Sequence, residues 1–274
     1  MEKSKIANLI DTHAHLASKD YPDVNNVITR AREAGVAKII CVASATEEIP
    51  KAIALAEKFS GVYLSLGIHP QDTKNTSPFQ LDLKLKKLEV ASLHPKVVAI
   101  GECGFDNSVP PAGERKRDVE EQEYIFEFQT HLAQKLNKPQ VLHCRQAKDK
   151  MVEALKEYSV TNGVWHCFVE DALTAKLALK LGLLLSFNGI VTYKSGGEIL
   201  KIARTISLDK ILLETDSPLL IPEPARSDPK IKLNEPSYVK IVAQKIAGAR
   251  NISEKDLATA TSQNAQLLFG LNYD

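Results

Sequence analysis

The sequence predicts an α/β fold of the (β/α)8 or TIM barrel type, built from residues 1–274 as one domain. Eight apolar runs of strand length alternate with helical patterns, and histidine or carboxylate residues stand at the ends of several runs. Strands that are apolar throughout and alternate with helices are typical of a parallel sheet covered on both faces, and eight repeats favour its closure. An open doubly wound sheet is the alternative, although no Gly-x-Gly-x-x-Gly turn follows the first run.

The predicted strands are short runs of aliphatic and β-branched residues, each followed by a polar or glycine-containing segment. In chain order they cover residues 7–10, 38–42, 62–66, 97–100, 140–142, 164–165, 183–187 and 210–213. The predicted helices carry apolar residues at spacings of three and four. They cover residues 24–33, 48–59, 81–92, 120–136, 148–158, 172–181 and 198–205, with longer helices after residue 235.

Composition limits the classes of protein that this chain can belong to. Hydrophobic residues make up 44% of the chain and aromatic residues 6%, which predicts a large aliphatic core. With 35 basic and 34 acidic residues, the formal charge of +1 gives no overall field that would attract a polyanion. The first eight residues lack the apolar core of a secretory signal, and no apolar stretch is long enough to span a bilayer. The four cysteines lie in or beside apolar runs, so we expect free thiols, no membrane contact and a cytoplasmic location.

Six residues of metal-ligating type stand at the ends of apolar runs. They are His13, His15, Glu102, His143, His166 and Asp216. A parallel barrel gathers the carboxyl ends of its strands on one face, so residues that are distant in sequence converge there. His13 and His15 are two residues apart, and strand alternation lets both face one metal ion. The pattern therefore predicts a metal site at one mouth of the barrel.

Four imidazoles and two carboxylates exceed what one tetrahedral zinc ion needs. The set suits two divalent ions that share one bridging carboxylate and keep positions open for water and substrate. Histidine and carboxylate ligands together admit zinc, manganese or magnesium. The predicted ligands are His13, His15 and Asp216 for one ion, His143 and His166 for the other, and Glu102 for both.

Longer motifs surround these residues. They are Asp-Thr-His-Ala-His at 11–15, Gly-Glu-Cys-Gly-Phe-Asp at 101–106, His-Cys-Arg at 143–145, His-Cys-Phe at 166–168 and Leu-Glu-Thr-Asp-Ser-Pro at 213–218. On these motifs, and on further ones at 67–70, 186–189, 234–236 and 264–270, the chain resembles the TatD metal-dependent deoxyribonucleases nearly from end to end. The resemblance implies a TIM barrel of the metal-dependent hydrolase superfamily, and a divalent-metal-dependent nuclease that trims DNA from its 3′ end.

The chain departs from the family pattern at four places. Gln71 stands where the family often has a second histidine after Gly-Ile-His-Pro, and Asn107 stands where it usually has a tyrosine. The segments 107–118 and 226–233 also differ from the usual loops. These departures bear on substrate contacts, whereas all six predicted metal ligands are in place.

The chemistry of a two-metal hydrolase assigns further roles. Water attacks phosphorus in line with the leaving oxygen, and Asp216 is the predicted base that accepts the water proton. Glu102, which would bridge the two ions, is also predicted to be a catalytic residue. Arg145 lies two residues beyond His143 and is predicted to aim its guanidinium at a substrate phosphate, the alternative being a surface salt bridge. His69 closes the third strand and is predicted to contact substrate or to act as a general acid, the alternative being a structural histidine.

Other candidates are predicted to lie outside the site. Cys103, Cys144 and Cys167 each follow a predicted ligand by one residue, so strand alternation turns them toward the packing helices. The basic run at 115–117 is predicted to be a solvated loop, with contact to a DNA backbone as its alternative.

Three functions remain open from the sequence. The first is hydrolysis of DNA, single-stranded or at 3′ ends, by an exonuclease, which Arg145 and the resemblance favour. The second is hydrolysis of a small amide, lactone or phosphoester, since this barrel supports many chemistries and the near-neutral charge admits small substrates. The third is a binding scaffold without catalysis, which is disfavoured because buried carboxylates and imidazoles without metal would cost stability.

Overall fold

Eight parallel strands are hydrogen-bonded in sequence order, and nine α-helices connect or follow them in the described part of the chain. The computed structural model describes residues 8–72, 77–110 and 115–271. The strands are β1 Leu9–Ala14, β2 Val36–Ala43, β3 Val62–Leu66, β4 Val97–Asp106, β5 Gln140–Arg145, β6 Gly163–Trp165, β7 Leu184–Phe187 and β8 Ile211–Leu213. The helices are α1 Val24–Glu33, α2 Ile49–Lys58, α3 Pro78–Ala91, α4 Val119–Lys135, α5 Lys148–Glu157, α6 Ala172–Lys180, α7 Gly197–Thr205, α8 Val239–Arg250 and α9 Glu254–Phe269. The predicted TIM barrel is confirmed.

The first and last strands meet at the carboxyl-terminal mouth of the barrel. Ala14 and Ser217 form a parallel bridge, and the His15 amide donates to the Ser217 carbonyl at 2.7 Å. On the other side of the bridge, the Asp216 amide donates to the His13 carbonyl at 2.9 Å. The seam of the barrel is therefore joined by residues of the predicted metal site.

Helix α9 covers the opposite, amino-terminal end of the barrel. Ala265 and Phe269 of this helix pack in one cluster with strand residues such as Ile40 and Val141. The side-chain amide of Asn264 donates to the Leu208 and Ile211 carbonyls, at 2.9 Å each, where β8 begins. A second cluster fills the space between the sheet and its surrounding helices. One end of the barrel is thus closed by packing, and the carboxyl end is left for the site.

Three strands continue three or more residues past their predicted ends. The predicted runs 7–10, 97–100 and 140–142 lengthen to Leu9–Ala14, Val97–Asp106 and Gln140–Arg145, while residue 7 lies outside the described residues. The backbone ladder persists after the side chains become polar, as the pairing of Asp106 with Arg145 shows. The apolar pattern stops where the strands reach the mouth of the barrel, so a strand predicted from that pattern ends too early.

The basic run at 115–117 is only partly a solvated loop. Arg115 is exposed and pairs with Glu121 at 2.8 Å, as expected. Arg117 contradicts the prediction, because its side chain is fully buried and donates to the Asp72 carbonyl at 2.5 Å. Its backbone amide also donates to the Gln71 side chain at 3.4 Å, so this arginine ties the loop after β3 to the loop after β4.

Five of the nine described helices begin with a side-chain cap. Helix α3 begins at Pro78, three residues before its predicted start, because Ser77 and Gln80 form a reciprocal capping box. Asp23, Asp118, Asp171 and Ser253 cap four other helices. Among the described helices, none combines the length and the apolarity needed to cross a bilayer.

Candidate metal centre at the carboxyl end of the barrel

A cavity of about 550 Å³ opens at the carboxyl end of the barrel, and five of the six predicted ligands line it, while His13 is fully buried beside them. His13, Glu102 and His143 lie within strands β1, β4 and β5. His15 and His166 directly follow β1 and β6, and Asp216 lies three residues beyond β8. Residues separated by 200 positions therefore share one site, as the barrel geometry predicts.

The first donor group consists of four atoms that surround a common point. The Nε2 atoms of His13 and His15 are 3.2 Å apart, and they lie 3.7 and 3.5 Å from Asp216 Oδ1. Their distances to Glu102 Oε2 are 3.7 and 3.8 Å. Ligands about 2.1 Å from one ion in a tetrahedron are about 3.4 Å apart, so these separations suit a single divalent ion.

The second donor group is more contracted. Glu102 Oε1 lies 2.6 Å from His143 Nδ1 and 2.9 Å from His166 Nε2, and those two nitrogens are 3.3 Å apart. The shorter two separations are those of hydrogen bonds, and an ion between these atoms would need them to move apart by several tenths of an ångström. The two oxygens of Glu102 therefore face two different groups of donors.

Electrostatics keep Glu102 ionised. Burial alone would raise the pKa of its carboxyl group, but the neighbouring positive charges of His166 and His143 lower that pKa well below its ordinary value. For His15, burial is likewise outweighed, by the hydrogen bond with Asp216 and the charge of Glu102, and the pKa rises to about 9. In the absence of an ion, protons thus occupy part of the site.

His69 lies beside the second group in its neutral form. Its Nε2 atom is 3.7 Å from Glu102 Oε1, and its ring lies 4.3 Å from the His143 ring. Burial and the charge of His143 lower the pKa of His69 to about 3. The backbone amide of Gln71 donates a hydrogen bond to His69 Nδ1 at 3.0 Å. In the neutral ring the proton therefore lies on Nε2. His69 is therefore arranged to donate a hydrogen bond into the cavity.

Two further carboxylates stand behind the second group. Asp106 Oδ2 lies 3.3 Å from His143 Nε2, and Glu214 Oε1 lies 3.5 Å from His166 Nδ1. Carboxylates in this position fix the tautomer and the orientation of a ligating imidazole. Neither residue was among the predicted site residues, because each faces a histidine from another strand.

A third buried carboxylate, Asp11, was also missed. Its oxygens accept hydrogen bonds from the Thr215 amide at 2.9 Å, the Thr215 hydroxyl at 2.6 Å and the His13 amide at 3.3 Å. Asp11 thus joins β1 to the segment that carries Asp216. Its spacing of two residues from His13 is the signal that could have identified it.

Glycines at the centre of β4 allow the strands to approach each other at the site. Gly101 and Gly104 adopt φ values of +137° and +147°, which side chains rarely tolerate. A Cβ atom on Gly104 would overlap the carbonyl oxygen of His143. The Gly-Glu-Cys-Gly motif therefore has a steric role next to its metal-ligating residue.

The cavity walls are acidic on balance. Five carboxylate side chains and one guanidinium line the cavity. They are Asp20, Glu48, Glu102, Asp106, Asp216 and Arg145. Arg145 ends β5 and is exposed at the mouth, where its side chain can meet an anionic ligand. Protonated histidines on the floor offset part of this negative charge, so bound cations would decide how strongly the cavity attracts a polyanion.

One of the three cysteines contradicts the expected orientation. Cys103 is buried and its thiol contacts the Val141 carbonyl at 3.7 Å, as predicted. Cys144 and Cys167 both line the cavity. Cys167 lies beyond the end of β6 with φ of +45°, so strand alternation no longer governs it. Cys144 packs in the cluster between sheet and helices, as predicted, although it also borders the cavity.

The fold and the donor set define this protein as a barrel of the metal-dependent hydrolase class. The chain belongs to the family described as TatD related DNase, whose sequence profile matches residues 10–270. The resemblance predicted from the motifs is thereby confirmed.

Relatives match nearly the whole chain. The uncharacterized metal-dependent hydrolase YabD of Bacillus subtilis (strain 168) is 35% identical, covering 96% of this chain and 100% of its own length. The 3′-5′ ssDNA/RNA exonuclease TatD of Klebsiella pneumoniae (strain 342) is 31% identical, covering 96% and 98%. The crystal structure of YjjV, a TatD homologue from Escherichia coli K12, superposes with a TM-score of 0.85 at 29% identity, covering 97% and 100%.

Proposed function

We propose that this protein is a divalent-metal-dependent exonuclease that hydrolyses phosphodiester bonds of single-stranded DNA from the 3′ end. The observation that carries the proposal is the position of Glu102, whose two oxygens face two separate groups of donor atoms. The name of the Klebsiella relative, an ssDNA/RNA exonuclease, supports the same class of substrate.

The donor atoms fit a pair of divalent ions, either magnesium, manganese or zinc. Within each of three overlapping groups the ligand atoms lie within 4.8 Å of one another, and these groups are His13, His15 and Asp216; His13, Glu102 and His166; and His69, Glu102 and His143. When bound, two such ions would supply activation of water and stabilisation of charge on the attacking and leaving oxygens. The residues that would hold them are His13, His15 and Asp216 on one side, His143 and His166 on the other, and Glu102 between.

The chain itself supplies proton transfer and orientation. Burial would raise the pKa of Asp216, but the hydrogen bond with His15 and the charge of His13 lower it, so this carboxylate is ionised and can accept a proton from water. His69 would donate a hydrogen bond from Nε2 to a phosphate oxygen. Arg145 would hold another phosphate oxygen from the mouth of the cavity.

A hydrolase of small amides, lactones or phosphoesters is the second candidate. The cavity volume of about 550 Å³ supports it, because pockets of roughly 300–1,000 Å³ enclose single small molecules. The two candidates differ in whether a polynucleotide is shortened stepwise, and that difference can be measured directly.

The test is degradation of a 5′-labelled single-stranded oligonucleotide with magnesium, with manganese or with a chelator. We expect a metal-dependent ladder of stepwise shortening, and no cleavage of a circular single strand. Glu102→Ala should lose bound metal and cleavage together. Glu198→Ala is the matched control, since this carboxylate is 80% exposed on α7 and away from the cavity.

Two results would contradict the proposal. Absence of cleavage with every metal, in protein that binds ions, would favour the small-molecule hydrolase. Full metal content and activity in Glu102→Ala would remove this residue as the bridge between two ions.

A further inference from the structure

One wall of the cavity is apolar, and the roles assigned above leave it unused. The residues of this wall are Val169, Ile190, Pro218, Leu219 and Leu220. Leu219 is 59% exposed and Val169 is 41% exposed, although both are large aliphatic side chains beside a cluster of charged groups. Exposed apolar surface at the rim of a polar site is typical of a surface that receives a ligand.

The loop that carries Leu219 is held by a fully buried asparagine. Asn234 donates from its side-chain amide to the carbonyls of Thr215, Leu219 and Leu220, at 2.9, 2.6 and 3.2 Å. The Leu219 amide in turn donates to the Asp216 carbonyl at 3.0 Å. Leu219 is therefore fixed three residues beyond a predicted metal ligand.

Contacts from the segment after β7 hold the same loop from its other side. The Tyr193 hydroxyl donates to the Ile221 carbonyl at 2.8 Å, and the Glu223 amide donates to the Thr192 hydroxyl oxygen at 2.8 Å. Gly189 lies so close to the loop that a Cβ atom there would overlap the Leu220 carbonyl oxygen. A surface held in place before binding loses little conformational entropy when a ligand arrives.

We propose that Val169, Ile190 and Leu219 form a nucleobase shelf, which receives the base of the 3′-terminal nucleotide while its phosphate lies at the metal centre. This inference rests on the proposed nuclease function. Aliphatic side chains offer no hydrogen-bond partner, so a phosphate or a sugar hydroxyl placed there would lose its water without compensation. The face of a base is the part of a nucleotide that gains from contact with this wall.

The shelf predicts which features of the 3′-terminal nucleotide the enzyme can distinguish. The three side chains provide no hydrogen-bond donors or acceptors, so they cannot distinguish the four bases from one another. They can distinguish a nucleotide that has a base from one that has none. The enzyme should therefore be insensitive to the identity of the terminal base and sensitive to its presence.

The test compares two oligonucleotides that differ at the 3′-terminal residue, one with a base and one abasic. With wild-type protein we expect kcat/KM to be roughly tenfold lower for the abasic end, mainly through KM. Leu219→Ser should lower kcat/KM for the normal end by roughly tenfold, and should have little further effect on the abasic end. Leu173→Ser is the matched control, since Leu173 is 68% exposed on α6 and does not line this cavity.

The outcomes separate this inference from the function on which it rests. Equal losses on both substrates in Leu219→Ser would overturn the shelf, because the leucine would then act through the loop or the metal ligands. An unchanged kcat/KM in that variant, with wild-type metal content, would overturn it as well. Failure of the wild-type protein to shorten either substrate would refute the nuclease function, and the shelf with it.

Discussion

Replacement of Glu214 by glutamine should weaken one metal site and leave the other unchanged. The Glu214 side chain is fully buried, and its Oε1 atom accepts hydrogen bonds from the Cys167 amide at 2.7 Å and the Asn188 side chain at 3.2 Å. The same oxygen lies 3.5 Å from His166 Nδ1. Glutamine keeps the size and one acceptor oxygen, but it removes the negative charge that faces His166.

The size of the effect follows from these contacts. Loss of a carboxylate behind a ligating imidazole typically lowers metal affinity about 10- to 100-fold, which is about 1.4–2.7 kcal/mol. Glu214 faces His166, which belongs to the second donor group, whereas His13 and His15 belong to the first. The weakening should therefore be confined to one of the two ions.

The assay is a zinc titration in competition with a chelator, which gives the number of ions bound and the affinity of each site. Wild-type protein should bind two ions, and Glu214→Gln should bind one of them with unchanged affinity. Glu198→Gln, on the surface of α7, controls for the loss of one negative charge. Equal weakening of both sites, or no weakening at all, would refute the positioning role of Glu214.

Three other perturbations have defined outcomes. A chelator should weaken binding of single-stranded DNA and abolish its cleavage, because two divalent ions carry more positive charge than the protons that replace them on His15, His143 and His166. Fluorescence anisotropy that does not change with chelator would contradict this. Metal affinity should rise with pH and level off above pH 9, because the proton on His15, with a pKa of about 9, must leave before Nε2 can bind. Titrations from pH 6 to about pH 10 measure this, and a flat profile would count against it. Gly104→Ala should destabilise the fold by several kcal/mol, because the new Cβ atom would overlap the His143 carbonyl. Gly248→Ala has open space around it on α8 and should raise stability by about 0.5–1 kcal/mol. Thermal unfolding of both variants measures these changes, and equal melting temperatures would contradict the steric explanation.

The sequence contains enough information to predict the barrel and the convergence of its polar strand ends. Apolar runs and helical periodicity report burial, and burial decides the fold class. Strand ends were harder to predict, since β4 continues to Asp106 after its apolar pattern stops. The ladder there depends on backbone pairing with β5, which the pattern of side chains does not report.

The six ligands were predicted because histidines and carboxylates stand at the ends of apolar runs in the sequence. The supporting carboxylates Asp106 and Glu214 were not recognised, since a buried carboxylate is identified by its partners and those partners come from other strands. Cys167 was misplaced for a local reason, a left-handed backbone conformation that interrupts alternation. Spacing along one strand cannot report any of these features.

The seam between β1 and β8 has a consequence for how the protein matures. His13 and Asp216 are joined there by a backbone hydrogen bond, and both are predicted to hold the same ion. A chain emerging from the ribosome contains His13 and His15 long before it contains Asp216. The first donor group is therefore incomplete until the barrel has closed, so a nascent chain cannot assemble this ion site ahead of its own folding.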